Sequence, residues 1–233
     1  MAKPRLLDLS DFDGRLIDGL SFCRKVYRLF DQILEMPNGR SRLRMLKSKT
    51  EKRLVEELIP IARYIQHRYH EAYRIKIRWN SGSQRHDAML FGSGEWVNHG
   101  LSSKRLAVEI TLSMHPNEYL VRENVDTGGA SFDPETTKRD KKTGKIDSEP
   151  HVRDGWETMQ ELADQVTERI RVKSAMGYGS DTVLIVGAVP NFPMLYSEWQ
   201  KVIAQIVEAG VHRGFEEVFV VDRRCSFCAT LPK

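Results

Sequence analysis

Asp87 and Glu109 are the residues whose type and placement could do chemistry. Asp87 stands at the head of a short apolar run, 88–91, and Glu109 lies inside a second, 106–112. A turn-rich segment holding Gly92, Gly94, Asn98, Gly100, Ser102 and Ser103 joins the runs, so they read as strands of one sheet. Two strands that each present a carboxylate make a divalent-metal site at a sheet edge. Hard oxygen ligands suit Mg2+ (or Mn2+), and Mg2+ keeps several of its waters and takes only a few carboxylates. An ion held there would polarise a substrate oxygen and lower the pKa of a bound water.

The surrounding elements must bring these acids together. In 105–113, Leu106, Val108, Ile110 and Leu112 face one way and Ala107, Glu109, Thr111 and Ser113 the other, so Glu109 falls on the small, polar face. Residues 74–80 alternate polar and apolar, the pattern of a half-buried strand. Upstream, helical spacing runs from Leu20 to about Met36 and is stopped by Pro37-Asn38-Gly39. A second helical pattern over 54–69 contains Pro60, which is expected to kink or divide it. From 124 to 153 no periodicity survives, and a mobile or functional loop is expected. Asp154-Gly155-Trp156-Glu157 then opens an amphipathic helix to about residue 175. A fully apolar strand, 182–189, follows. Ser197-Glu198-Trp199-Gln200 opens another helix, and 217–221 is a last strand. The fold class expected is α/β, a mixed central sheet flanked by helices. Residues 1–49 form a helical N-terminal extension and 50–233 the α/β domain.

With 233 residues, 40% hydrophobic and 29% charged, the chain has the composition of a soluble globular protein. It has no apolar run of membrane-spanning length and no signal-like N-terminus, so a cytoplasmic protein without a membrane partner is expected. Cys225 and Cys228 form a lone CxxC, too few ligands for a structural zinc site, and read as bystander thiols. The net charge is +4, and the excess is clustered. Arg40, Arg42, Arg44 and Lys47 begin one basic stretch; Lys138, Arg139, Lys141 and Lys142 lie in another, and Lys104 precedes the Glu109 strand. Basic clusters on a balanced chain suit a polyanion, nucleic acid first. Asp222-Arg223-Arg224, at the end of the last strand, could instead bind a small phosphorylated substrate.

From residue 50 the order is helix, three strands, helix, strand, with Asp87 opening the second strand and Glu109-Ile110-Thr111 in the third. This resembles the PD-(D/E)XK, or restriction-endonuclease-like, nuclease superfamily, and the resemblance covers roughly 50–190. It implies a metal-dependent nuclease cutting phosphodiester bonds in DNA. Asp87 would be the metal-bridging aspartate and Glu109 the acid of the tripeptide. Ile110 would lend its backbone carbonyl to the metal, and Thr111 takes the place of the motif lysine. An acid from the first helix is commonly added, and Glu51 is the candidate, with Glu56 and Glu57 as rivals. A threonine hydroxyl cannot act as a cation, so Lys104, Arg105, Lys76 or Arg122 would have to supply the displaced charge. The alternative is a catalytically degenerate nuclease-fold protein that binds nucleic acid or a protein partner without cutting. A homodimer stays open.

Overall fold

The computed structural model describes residues 6–82, 84–130, 133–151, 154–190, 193–223 and 226–232. Arg224 and Cys225 lie outside the described residues. A short strand, β1 (Leu16–Asp18), leads into helix α1 (Gly19–Leu34), whose first turn is capped by Asp18 accepting the Ser21 N–H at 3.0 Å. Phe22, Cys23, Val26, Leu29 and Ile33 recur at helical spacing and are all buried. The expected stop is a close packing point. Asn38 adopts a left-handed conformation (φ 59°), and a Cβ on Gly39 would fall 2.2 Å from the Ile33 carbonyl oxygen.

Helix α2 (Gly39–Met45) follows, then α3 (Lys49–Arg53), a π-helical turn over Leu54–Leu58, and α4 (Ile59–Arg68). Pro60 is the second residue of α4, but helical backbone runs into it from the π turn, so a carbonyl of that turn loses a donor there. The chain absorbs the proline by widening the preceding turn, so the expected division takes the form of a π turn.

Strands β2 (Arg74–Trp79), β3 (Ala88–Ser93) and β4 (Arg105–Ser113) form an antiparallel meander, with short helix α5 (Glu95–Asn98) in the β3–β4 connection. Helix α6 (Glu118–Asp126) comes next, then strands β5 (Thr137–Arg139) and β6 (Ile146–Ser148), paired as a separate hairpin. The segment expected to be a structureless loop over 124–153 therefore begins in a helix and contains this hairpin. Its turn-formers and lysines have no apolar side to reveal a period. Helix α7 (Gly155–Ala175) leads to β7 (Thr182–Ala188), α8 (Tyr196–Glu208) to β8 (Glu217–Asp222), and β9 (Cys228–Leu231) closes the chain. Asp154 caps α7 through the Trp156 N–H. In α8 Ser197 already lies inside the helix, and Glu198 reaches back to the Leu195 N–H at 2.6 Å.

The result is a mixed α/β fold on one seven-stranded sheet in the order β1-β2-β3-β4-β7-β8-β9. β4, β7 and β8 are parallel, and every other neighbouring pair is antiparallel. β7 is buried along its whole length because its alternating side chains feed two cores. Val183 and Ile185 pack with α1 and α4, and Leu184 and Val186 with α7 and α8. The N-terminal segment is no appendage. Phe12, Phe22, Val26 and Leu43 share one core with the sheet, and β1 forms its edge. No helix among the described residues is long and apolar enough to cross a membrane.

Candidate active site

The site begins where β3 ends against β4. Ala88 is the partner of Val108, the last register pair in this direction. One residue further out, the Asp87 N–H still donates to the Val108 carbonyl at 3.0 Å. Its carboxylate oxygen Oδ2 then accepts the Ile110 N–H at 2.8 Å. The Asp87 side chain thus continues the ladder where the β3 backbone leaves it. Its other oxygen, Oδ1, makes no hydrogen bond among the described residues.

Glu109 lies beside Asp87 on the face that β4 turns towards α7. The alternation expected from the sequence holds: Val108 and Ile110 point into the α1/α4 core, and Glu109 does not. Glu109 is buried, yet its Oε1 is met at 2.6 Å by Nζ of Lys173 from the last turns of α7. The ammonium also lies 5.7 Å from the centroid of the Tyr178 ring, a cation–π distance. Burial first, and then the Glu109 carboxylate beside it, push the Tyr178 hydroxyl up to about 12. The His86 ring stands 5.6 Å from that of Tyr178.

These acids outnumber their cation. Burial, then the charge of Glu109, push the Asp87 carboxyl up to about 6, and the charge of Glu57 adds to this. The Ile110 N–H and Lys173 pull the other way without cancelling it. Glu57, from the π-helical turn, is itself raised by burial, although Arg53 pairs with it and the Trp79 indole donates to it at 3.2 Å. A carboxylate held above its ordinary range by burial, and then by a neighbouring acid, is one that gains from an added cation. Among the described residues no three His, Cys, Asp or Glu side chains gather as a ready metal cage. The residues present fit a site of two carboxylates, Asp87 and Glu109, with the remaining positions of a hydrated ion left to water and substrate.

The structure brings together Asp87, Glu109 and Ile110. Thr111 lies two residues beyond Glu109 on the same strand face and is half-buried. Glu51 does not join them. It is buried in α3 against the Arg42 guanidinium, with contacts of 2.5 and 2.7 Å, so it is already neutralised. The first-helix acid whose charge reaches Asp87 is Glu57. The cation beside Glu109 is none of Lys76, Lys104, Arg105 or Arg122. Lys76, Lys104 and Arg105 are exposed, and Arg122 is buried against Glu118. Lys173 takes that position, 64 residues from Glu109 in the chain. It stands where α7 crosses β4, which no spacing in the sequence encodes.

The other candidates lie elsewhere. Arg40, Arg42, Arg44 and Lys47 are on α2 or just after it, Lys138 and Arg139 on β5, and Lys141 and Lys142 at the hairpin tip. Asp222 is buried, and its carboxylate accepts the Phe227 N–H at 2.8 Å, closing the turn into β9. Of the cysteines, Cys23 is buried and its thiol is pushed up to about 12 by burial; the Cys228 thiol is raised for the same reason. In comparison with known proteins the chain matches no family model, and no curated protein and no solved structure is significantly similar to it.

Proposed function

We propose that the protein is a metal-dependent nuclease that hydrolyses phosphodiester bonds in DNA at the Asp87–Glu109 edge of β4. The observation that carries this reading is the cluster itself: two adjacent carboxylates on neighbouring strands, one raised to about 6, with a lysine 2.6 Å from the other. It supplies the acid, acid and lysine that the sequence resemblance implies, with Lys173 of α7 standing in for Thr111. With α5, α6 and the β5–β6 hairpin set aside as insertions, the order α4, β2, β3, β4, α7, β7 is also the order of elements that the resemblance implies.

Mg2+ or Mn2+ bound by the two acids would supply charge to the scissile phosphate and a more acidic water. The chain's own groups do the rest. Asp87 is fixed in orientation by the Ile110 N–H, so its free oxygen Oδ1 is presented without rotamer searching. Lys173 neutralises Glu109 in the metal-free protein, and its ammonium stays available to a non-bridging phosphate oxygen or the attacking water. Glu57 adds negative charge that strengthens cation binding.

Purified protein incubated with plasmid DNA and Mg2+ or Mn2+ is expected to nick or linearise it. Asp87→Asn and Glu109→Gln are expected to abolish that activity while retaining the native circular dichroism spectrum. Activity that survives both changes would sink the site. The sparse ligand set and the engaged Glu109–Lys173 pair favour a second reading, a protein of the same fold that binds nucleic acid without cutting. Salt-sensitive DNA binding with no metal-stimulated cleavage would establish that reading instead.

A further inference from the structure

Helix α6, which follows directly from β4, is fastened in two directions. On one side Asp126 accepts the Ser41 hydroxyl at 2.6 Å and pairs with Arg44 at 3.3 Å, which holds α2. On the other, Glu123 pairs with Arg139 at 2.7 Å, and the Asn117 amide donates to the Pro134 and Thr137 carbonyls at 3.0 and 3.2 Å, which holds the β5–β6 hairpin. The two basic stretches, far apart in sequence, are thereby fastened to one short helix.

Glu123 and Asp126 of α6 are engaged in this fastening, and what the assembly turns outward is mostly positive, with Asp147, across the hairpin from Lys138, as an exposed acid. Arg40, Lys47, Lys138, Lys141, Lys142 and Lys145 are exposed, and none pairs with an acid among the described residues. The hairpin tip has a defined shape. Asp140 Oδ1 accepts the N–H groups of Lys142 and Thr143 and the Thr143 hydroxyl, and Gly144 takes the left-handed conformation (φ 72°). The Asp140 carboxylate is therefore engaged within the turn, and the lysines project from a preformed scaffold, which lowers the ordering cost of binding. No aromatic residue occurs in either basic segment, 39–47 or 137–148. Exposed cations without stacking side chains suit the phosphates of a paired duplex better than the bases of a single strand.

We infer that α2, α6 and the β5–β6 hairpin form one composite cradle for the sugar-phosphate backbone of duplex DNA, with α6 as the hub that sets the spacing of its two arms. This inference rests on the proposed nuclease reading only for the identity of the substrate.

The test measures binding of the full-length protein to a labelled 25-base-pair duplex by fluorescence anisotropy, in EDTA so that no cleavage intervenes, across a range of KCl. Substituting Lys138, Lys141 and Lys142 together by Ala is expected to lower the slope of log affinity against log salt by about 2–3, and Arg40 with Lys47 by about 1–2. Glu123→Ala and Asp126→Ala separate a hub from a mere sum of charges. Each removes a negative charge, so bare electrostatics predicts tighter binding and a cradle held by α6 predicts weaker binding. Unchanged slopes in both cation variants, or tighter binding by both acid variants, would overturn the cradle while metal-stimulated cleavage by the wild type would leave the nuclease reading standing. Reduced slopes together with no cleavage would support the cradle and overturn the nuclease. Tighter binding of the same-length single strand or of RNA would overturn the duplex assignment, and no binding of any nucleic acid would overturn the cradle outright.

Discussion

Two buried ionic clusters lie along β4, one at Glu109 and one just beyond Ser113, and they are built on opposite plans. At the far one, a single carboxylate oxygen of Glu118 accepts from Arg122 at 3.1 Å and from Arg223 at 3.0 Å. Arg122 also stacks 4.8 Å from the centroid of the Tyr119 ring, whose hydroxyl donates to Glu56 at 2.7 Å. Burial first, then the adjacent Arg122, lower the pKa of Arg223, and Glu118 opposes this. The charges compensate one another locally and fasten α6 and the turn after β8 to the sheet. At the near cluster Lys173 pairs with Glu109 and Arg53 with Glu57, which leaves Asp87 without a cation of its own; burial first, and then the charge of Glu109, raise its carboxyl. Burial alone thus does not distinguish a fastening from a reactive site. The sign and remainder of the local charge do, because only the unbalanced cluster is relieved by a cation from outside.

The contrast can be tested in order of expected effect. Glu118→Ala leaves two buried or half-buried guanidinium groups without their shared acceptor. It should cost about 3–5 kcal/mol of stability, read as a lower denaturant midpoint at unchanged slope. A loss below about 1 kcal/mol would deny this cluster its fastening role. Lys173→Ala should slow cleavage by about 100- to 1000-fold, with Lys173→Arg restoring part of it. A rate unaffected by both would move the catalytic charge elsewhere.

Asp87→Asn should stabilise the metal-free protein even as it removes activity. The folded-state pKa of Asp87 lies near 6, above its ordinary 3.8, so the folded protein binds the proton more tightly than the unfolded chain. The wild type therefore loses stability as pH rises from about 4 to about 6. The variant's relative gain should appear across that window, reach about 1–3 kcal/mol above it, and vanish at lower pH. Chemical denaturation at pH 4 and pH 8 measures it, and a gain that is equal at both pH values would show that the carboxylate charge is not its source. The smallest effect is expected at Glu57, where Gln keeps the acceptor for the Trp79 indole but removes a charge acting on Asp87 from a distance. The Mg2+ concentration needed for half-maximal cleavage should rise a few-fold, on the order of 1 kcal/mol in cation binding.

The sheet was legible because its strands carry a period. Alternation in 74–80 and 105–113 and the unbroken apolar run 182–189 correspond to β2, β4 and β7, and with them the face on which Glu109 stands. Asp87 was legible as a strand opener, although its bond to the Ile110 N–H was not. The hairpin was hidden because lysines, threonines and aspartates around a turn bury almost nothing, so no apolar pattern marks their strands. Lys173 was hidden for a different reason. On an amphipathic helix a lysine at the end of the polar stripe resembles every other solvated lysine until the crossing of α7 over β4 places it against Glu109. Glu51 drew attention because it begins the first helix, but its partner Arg42 comes from α2, across a turn whose path the composition does not state.

The π-helical turn over Leu54–Leu58 has a mechanical consequence. Each residue advances an α-helix by about 100°, and a π turn carries one residue more than the regular helix needs. The surplus sets the phase at which two adjacent acids leave the helix: Glu57 towards Trp79 and Asp87, and Glu56 towards Tyr119 at the other cluster. Deleting Val55 would restore regular winding and turn α3 out of step with α4, so that the two acids could no longer address their separate neighbours while Glu51 stays seated on Arg42. Like a vernier between two scales, the extra residue lets one stretch of helix keep register with both.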